Sequence, residues 1–363
     1  LKSVLALGAA PSAVGELGAW RRLTAPNSAL MTLLKTILLF GAASALLFAC
    51  LKRSPWLAFQ TLWQGSFGSG FALSETLVKA GPVLFCALAT SLPARLGLVS
   101  VGAEGQLVAG SITGTAAVLA LGDVRKVVLL PVMLLAGALG GAAYGALAGA
   151  LRARLRVNET IGTLLLNYLP PLLVVYLVYG PWKDPNSLGW PATISFPDGA
   201  RFASYFGTRV HAGIALGVVV TLTAHVLLVR TRWGSELALL REGPLLARRA
   251  GLSFERAVLW VMALGGAIAG VAGMIETSVL ESRLQAGIGT GAGYAGFLVA
   301  FLARRDLRLV LPVTLVVAGL GAAGDNLQLN LELPSSITHV LEGLLFAATL
   351  VARGSTTKQE EAS

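Results

Sequence analysis

The chain has 363 residues, of which 55% are hydrophobic and only 13% charged. That is more apolar surface than one water-soluble core can hide, so a soluble globular enzyme is excluded and a polytopic membrane protein is indicated. The formal charge of +10 would point to nucleic acid in a soluble protein, but here Lys and Arg fall in short clusters between apolar runs and read as topology signals. Cys50 and Cys86 lie inside hydrophobic segments, and His211, His225 and His339 are scattered, which indicates neither a disulfide framework nor a metal site.

In chain order, Leu1 to Leu30 mixes apolar residues with Pro11, Pro26 and the Arg21-Arg22 pair, and lacks the ordered regions of a signal peptide. Met31 opens the first clean hydrophobic run. The reading therefore sets aside 1–29 as a cytoplasmic or mis-started lead segment, takes 30–353 as the transmembrane domain, and leaves 354–363 as a polar tail. Apolar runs of about 20 residues predict an all-α bundle of about ten membrane helices. These fall near residues 30–51, 76–97, 100–121, 127–150, 158–180, 209–229, 257–280, 290–303, 309–326 and 336–352. The eighth is short, and is expected to be tilted, broken or re-entrant.

The loops orient these spans. Arg152, Arg154 and Arg156 follow the fourth, Arg230, Arg232, Arg241, Arg248, Arg249 and Arg256 the sixth, and Arg304, Arg305 and Arg308 the eighth. All three loops are expected in the cytoplasm, and an even number of spans puts both termini there. Lys52 and Arg53, after the first span, run against the rule. The segment from Pro181 to Thr208 carries Asp184, Asp198 and several prolines and aromatics, which suits an ordered external lid.

Glycines carry two further signals. Gly137, Gly141, Gly145 and Gly149 repeat every four residues, as do Gly266 with Gly270 and Ala269 with Gly273; such stripes let two helices approach closely. Gly291, Gly293 and Gly296 spell G-x-G-x-x-G, but no strand precedes them, so a dinucleotide site fails its context test. The same region matches the third span at equal spacing: Gly102, Gly105, Leu107, Val108 and Ala109 correspond to Gly293, Gly296, Leu298, Val299 and Ala300. Two five-helix halves would explain this, and because five is odd they would form an inverted repeat of the kind transporters use, with the solute path between the halves.

Polar residues inside such spans are costly and mark function or a buried hydrogen bond. Glu104 and Gln106 interrupt the apolar stretch from Leu98 to Gly110, and Asn158, Glu159 and Asn167 belong to the fifth span. These five are the candidates for the solute path, with Asn326 and Glu342 as weaker second-half members. Asn158 is equally readable as a helix cap with Glu159 complementing the helix dipole, and Asn167, just before Pro170-Pro171, as satisfying a carbonyl freed by a kink. Glu104 and Gln106 lie two apart and would diverge on a regular helix, so the backbone around Gly102 and Gly105 is expected to be unwound.

Several of these stretches together resemble the permease subunits of bacterial ABC importers of the nucleoside and simple-sugar type, within the branched-chain amino acid and ribose permease group. The resemblance runs through Gly65-Ser66-Phe67-Gly68, Leu73-Ser74-Glu75-Thr76-Leu77, Val101-Gly102-Ala103-Glu104-Gly105-Gln106, Val157 through Tyr168, and Gly180-Pro181-Trp182-Lys183-Asp184-Pro185. It implies a permease of the bacterial inner membrane carrying a nucleoside or, alternatively, a simple sugar. It also implies an ATPase subunit, a homologous second permease and an extracytoplasmic binding protein as partners, alongside membrane lipid and without nucleic acid. The loop from Thr231 to Leu252 resembles the segment that docks into the ATPase, through Gly234, Glu236, Glu242, Pro244, Ala250 and Gly251. No G-x-x-x-x-G-K-[ST] occurs, so the chain is read as non-catalytic and without a cofactor, ATP hydrolysis belonging to another subunit. The rival class is an ion-coupled secondary transporter, which would also carry inverted repeats and intramembrane carboxylates but no ATPase partner.

Overall fold

The computed structural model describes residues 26–361 apart from 188, 206, 290, 304 and 305; nearly all of the lead segment, and Arg304 and Arg305 of the third basic cluster, lie outside the described residues. The chain is helical throughout, with α1 Pro26–Cys50, α2 Pro55–Phe67, α3 Gly70–Arg95, α4 Ala103–Leu121, α5 Lys126–Leu155, α6 Glu159–Leu166 and α7 Leu169–Tyr179. There follow α8 Ala212–Arg230, α9 Arg232–Glu242, α10 Pro244–Arg249, α11 Phe254–Glu276, α12 Ala292–Leu302, α13 Leu307–Leu331 and α14 Ile337–Glu361. Every predicted span is present, with the fifth divided into α6 and α7. Among the described residues, eight helices are long and apolar enough to cross a membrane. The third and eighth spans, α4 and α12, fall outside that set, α4 because Glu104 and Gln106 occupy its first turns and α12 because it has only 11 residues. Helix α2 was not foreseen as a separate element.

The chain divides into two compact units, Leu1–Phe59 with Val340–Ser363, and Gln60–His339. The second holds the polar centre. Within it α3 is the most enclosed span and packs against α11, α12 and α13, while α11 packs against α3, α4 and α5. Numbered as spans, the second meets the seventh, eighth and ninth, and the seventh meets the second, third and fourth. This exchange of neighbours is what a two-fold relation between two five-span halves produces.

The glycine stripes form the most extensive helix–helix interface of this unit. A Cβ placed at Gly141 would overlap the Gly266 carbonyl, one at Gly270 the Gly137 carbonyl, and one at Gly145 the Met262 carbonyl. With no side chain between them, α5 and α11 pack backbone against backbone, the arrangement that small-residue repeats permit in a bilayer.

Candidate functional site

The site begins where α3 ends. Gly97 takes a left-handed φ of +83°, a conformation that costs glycine little, and the chain then runs without helical bonds through Leu98–Val101 before α4 starts at Ala103. Inside a membrane protein such a segment leaves peptide groups that must find partners. Helix α6 supplies them from one face. The Val99 N–H donates to Glu159 Oε1 (3.5 Å) and its carbonyl accepts from the Thr160 hydroxyl (3.1 Å). The Val101 N–H donates to Thr163 Oγ1 (3.1 Å), and its carbonyl accepts from Asn167 Nδ2 (2.8 Å). Asn167 Oδ1 then accepts the N–H of Gly105 (3.0 Å), one of the four amides that open α4 without an intrahelical partner.

Glu104, held in that first turn, performs the same service one helix further on. Its carboxylate accepts the N–H of Gly291 at Oε1 (2.7 Å) and the N–H of Gly293 at Oε2 (2.6 Å), capping the start of α12 with a negative charge where the helix dipole favours one. Gly291 is the cap residue at φ +90°, and a Cβ on Gly293 would overlap the Glu104 backbone. Behind it, Gly287 and Gly289 also have positive φ, and the Gly289 N–H donates to Glu276 Oε1 (3.3 Å). With 11 residues, α12 is about 16 Å long, roughly half of a hydrocarbon core of about 30 Å. It is a half-helix, too short to cross that core alone, with Glu104 at its N-terminus.

The kink between α6 and α7 is completed by α5. Pro170 has no N–H to return to the Leu166 carbonyl, and the Tyr144 hydroxyl donates to that carbonyl instead (2.6 Å). One of the two readings of Asn167 had it satisfy a freed carbonyl of the kink. It serves Val101 and Gly105 because its side chain points across to α4 and the extended segment.

These elements border a half-open cavity of about 310 Å³, with Glu104, Asn167, Tyr168 and Tyr294 as its polar lining. Its walls are Pro171, Leu172, Val174 and Ile288, with Gly287 beside them. The size falls at the lower end of small-molecule sites, roughly 300–1,000 Å³.

Of the five candidates from sequence, the structure brings Glu104 and Asn167 to this cavity. Gln106 is buried, its carboxamide against Gly102, away from the lining. Asn158 caps α6, its Oδ1 accepting the N–H groups of Thr160 (3.0 Å) and Ile161 (3.2 Å). Glu159 pairs with Arg152 (3.1 Å) as well as with Val99. The break expected around Gly102 and Gly105 lies earlier: α4 is regular through Gly105, so Glu104 and Gln106 do diverge. Asn326 sits on α13 with its side chain over Gly65, and Glu342 is on α14 in the other unit. Tyr168 and Tyr294 were missed as lining residues. Tyr294 lies in the glycine-rich run that had been weighed for nucleotide phosphate and for an internal repeat, and Tyr168 ends the Val157–Tyr168 motif.

The loop from Thr231 to Leu252 forms α9 and α10. Leu237, Leu240 and Ala247 are buried, whereas Leu245 (76% exposed) and Leu246 (60%) project beside exposed Arg248 and Arg249. Gly234 packs on the Leu228 carbonyl, Gly251 has φ +78°, Glu236, Glu242 and Ala250 are exposed, and Pro244 heads α10. The Arg241 stem lies against Gly97 at the start of the extended segment. At the opposite end of α11, the segment expected as a lid is tied down: the Thr193 N–H donates to the Leu284 carbonyl (2.9 Å) and the Phe196 N–H to the Ser282 carbonyl (2.7 Å).

Apolar helices around a capped half-helix define a multi-pass membrane protein built like a transporter. The chain belongs to the family described as branched-chain amino acid transport system / permease component, whose model matches residues 72–351. It is 30% identical over 321 residues to a glucose ABC transporter permease protein of Haloferax volcanii, covering 85% of this chain and 84% of the relative. It is 27% identical to a guanosine ABC transporter permease protein of Bacillus subtilis (90% and 94% covered) and 24% identical to a nucleoside ABC transporter permease protein of Lactococcus lactis (73% and 74%). No solved structure matches the chain.

Proposed function

We propose that this chain is the permease subunit of an ATP-driven importer and forms half of the translocation path for a nucleoside or related small polar solute. The observation that carries the reading is the cavity lined by Glu104 and Asn167 where two broken spans meet. Relatives that carry guanosine and nucleosides by name support the solute class, and the glucose relative keeps a simple sugar as the second reading. Residues 30–353 are the permease domain, placed in a bacterial inner membrane with both termini cytoplasmic.

ATP is hydrolysed on a separate subunit, which docks on α9 and α10 through Leu245 and Leu246, with Gly234, Glu236, Glu242, Pro244, Ala250 and Gly251 shaping the loop. Movement of α9 reaches the path by a short route, because Arg241 rests on Gly97 and the next residues, Leu98–Val101, are bonded to Thr163 and Asn167. A second, homologous permease closes the other side of the path, and an extracytoplasmic binding protein delivers the solute. ATP binding biases this assembly between inward-open and outward-open states.

The test is uptake of labelled guanosine and glucose by proteoliposomes containing the chain with its ATPase, second permease and binding protein. Uptake of either solute that requires ATP, and that is abolished together with ATPase co-purification by Leu245→Asp and Leu246→Asp, is the expected result. Uptake that follows an ion gradient without the ATPase would replace the reading with secondary transport.

A further inference from the structure

The polar groups at the back of the cavity each carry at least one bond to the protein's own backbone. Each Glu104 oxygen holds a backbone N–H of the α12 start, and both ends of the Asn167 carboxamide hold backbone at the α4 start. What the cavity offers a solute beyond them is the side chains of Tyr168 and Tyr294, which are 63% and 40% exposed, and the aliphatic walls of Pro171, Leu172 and Ile288. A sugar ring carries hydroxyls around its whole edge and needs a partner for each on leaving water, whereas a nucleobase is planar and stacks on aromatic rings in a sequence-tolerant way. A lipid chain is a poor occupant, because it would bring hydrocarbon against the Glu104 carboxylate.

We infer that this wall of the path recognises the planar heterocyclic base of its solute, with Tyr168 and Tyr294 as the specificity-determining residues and Glu104 and Asn167 as positioning residues that do not bind solute hydroxyls. The inference rests on the permease reading above. With Glu104 and Asn167 oriented by the backbone they hold, the largest surfaces left facing the cavity are the two aromatic faces, and discrimination falls chiefly to shape and to π-stacking. The base therefore selects the solute on this side of the path, and the sugar moiety makes no directed contact with this chain.

The assembled importer in proteoliposomes, carrying labelled guanosine, provides the test. Tyr168→Leu and Tyr294→Leu keep apolar bulk but remove the ring, and each is expected to raise KM about tenfold with kcat little changed, as loss of one base–aromatic stack implies. Tyr168→Phe and Tyr294→Phe should restore KM to within about twofold, since the π-face remains. Free guanine should compete with guanosine in the wild type and less well in the leucine variants, while ribose and glucose should not compete. Unchanged KM in the leucine variants, or competition by ribose or glucose but not by guanine, overturns the inference. A wild type that carries glucose under ATP and ignores guanosine overturns it too while leaving the permease reading intact; a wild type that moves neither solute under ATP sinks both. If a leucine variant does not assemble with the ATPase, competition by free guanine in the wild type decides alone, inhibition supporting the inference and its absence overturning it.

Discussion

Two glycine-rich regions meet on α11, and they use the residue in opposite ways. Along Gly137, Gly141 and Gly145, facing Gly266 and Gly270, the backbones are regular helix and glycine is needed because no side chain fits between them. Along Gly287, Gly289 and Gly291 the backbone leaves the helix with positive φ, and its exposed N–H groups are taken by Glu276 and Glu104. The first region is a seam with its peptide groups satisfied inside each helix. The second depends on two carboxylates from elsewhere, Glu276 and Glu104.

The seam should be the harder of the two to injure mildly. Gly141→Leu forces a side chain into the Gly266 carbonyl, with a cost of about 3 kcal/mol or more from overpacking. Purified protein in detergent should show a large fall in melting temperature, and a variant as stable as the wild type would mean that α5 and α11 are not in contact as described. At the capped centre the loss is graded. Glu104→Ala strands two buried N–H groups, each worth roughly 1–3 kcal/mol, whereas Glu104→Gln keeps one acceptor oxygen and should lose about half as much. Uptake is expected to rank wild type, then Gln, then Ala. Equal activity of all three would leave the cap without a role.

Tyr144→Phe sharpens the comparison, because Tyr144 stands on the seam helix but serves the broken one. Removing its hydroxyl unpairs the Leu166 carbonyl freed by Pro170, at about 1–2 kcal/mol. The expected signature is a modest drop in melting temperature that Pro170→Ala in the same chain partly restores, since alanine returns the missing N–H. No interaction between the two substitutions in a double-mutant cycle would remove Tyr144 from the kink.

The smallest effect near neutral pH lies away from both regions, at His211 before α8. Burial lowers its pKa from 6.5 to about 4, and its Nδ1 accepts the Gly213 N–H (3.1 Å), which requires the neutral ring. The unfolded chain takes up this proton at higher pH than the folded one. The stability contributed by His211 is therefore complete above about pH 6.5, falls as the pH drops from there towards 4, and changes no further below. His211→Asn keeps an acceptor for Gly213 without titrating, so its melting temperature should fall less than that of the wild type between pH 7 and pH 4.5. Parallel curves would show that His211 does not titrate in this window.

The sequence by itself determined where the long apolar helices lie, because an apolar run of span length is a property of neighbouring residues and needs no partner to be read. It determined the seam for the same reason: the four-residue period of Gly137 to Gly149 is local. It also carried the kink at Pro170 and the cap at Asn158, both set by residues within a turn or two. Only the tertiary structure decided what the polar residues do. Glu104 lies 187 residues from Gly291 and 189 from Gly293, and Asn167 reaches back 62 and 66 residues to Gly105 and Val101. Intramembrane polarity identifies both side chains as expensive, but their partners are backbone groups, which every residue carries alike. Only the fold sets which of those groups the Leu98–Val101 segment and the start of α12 leave unpaired.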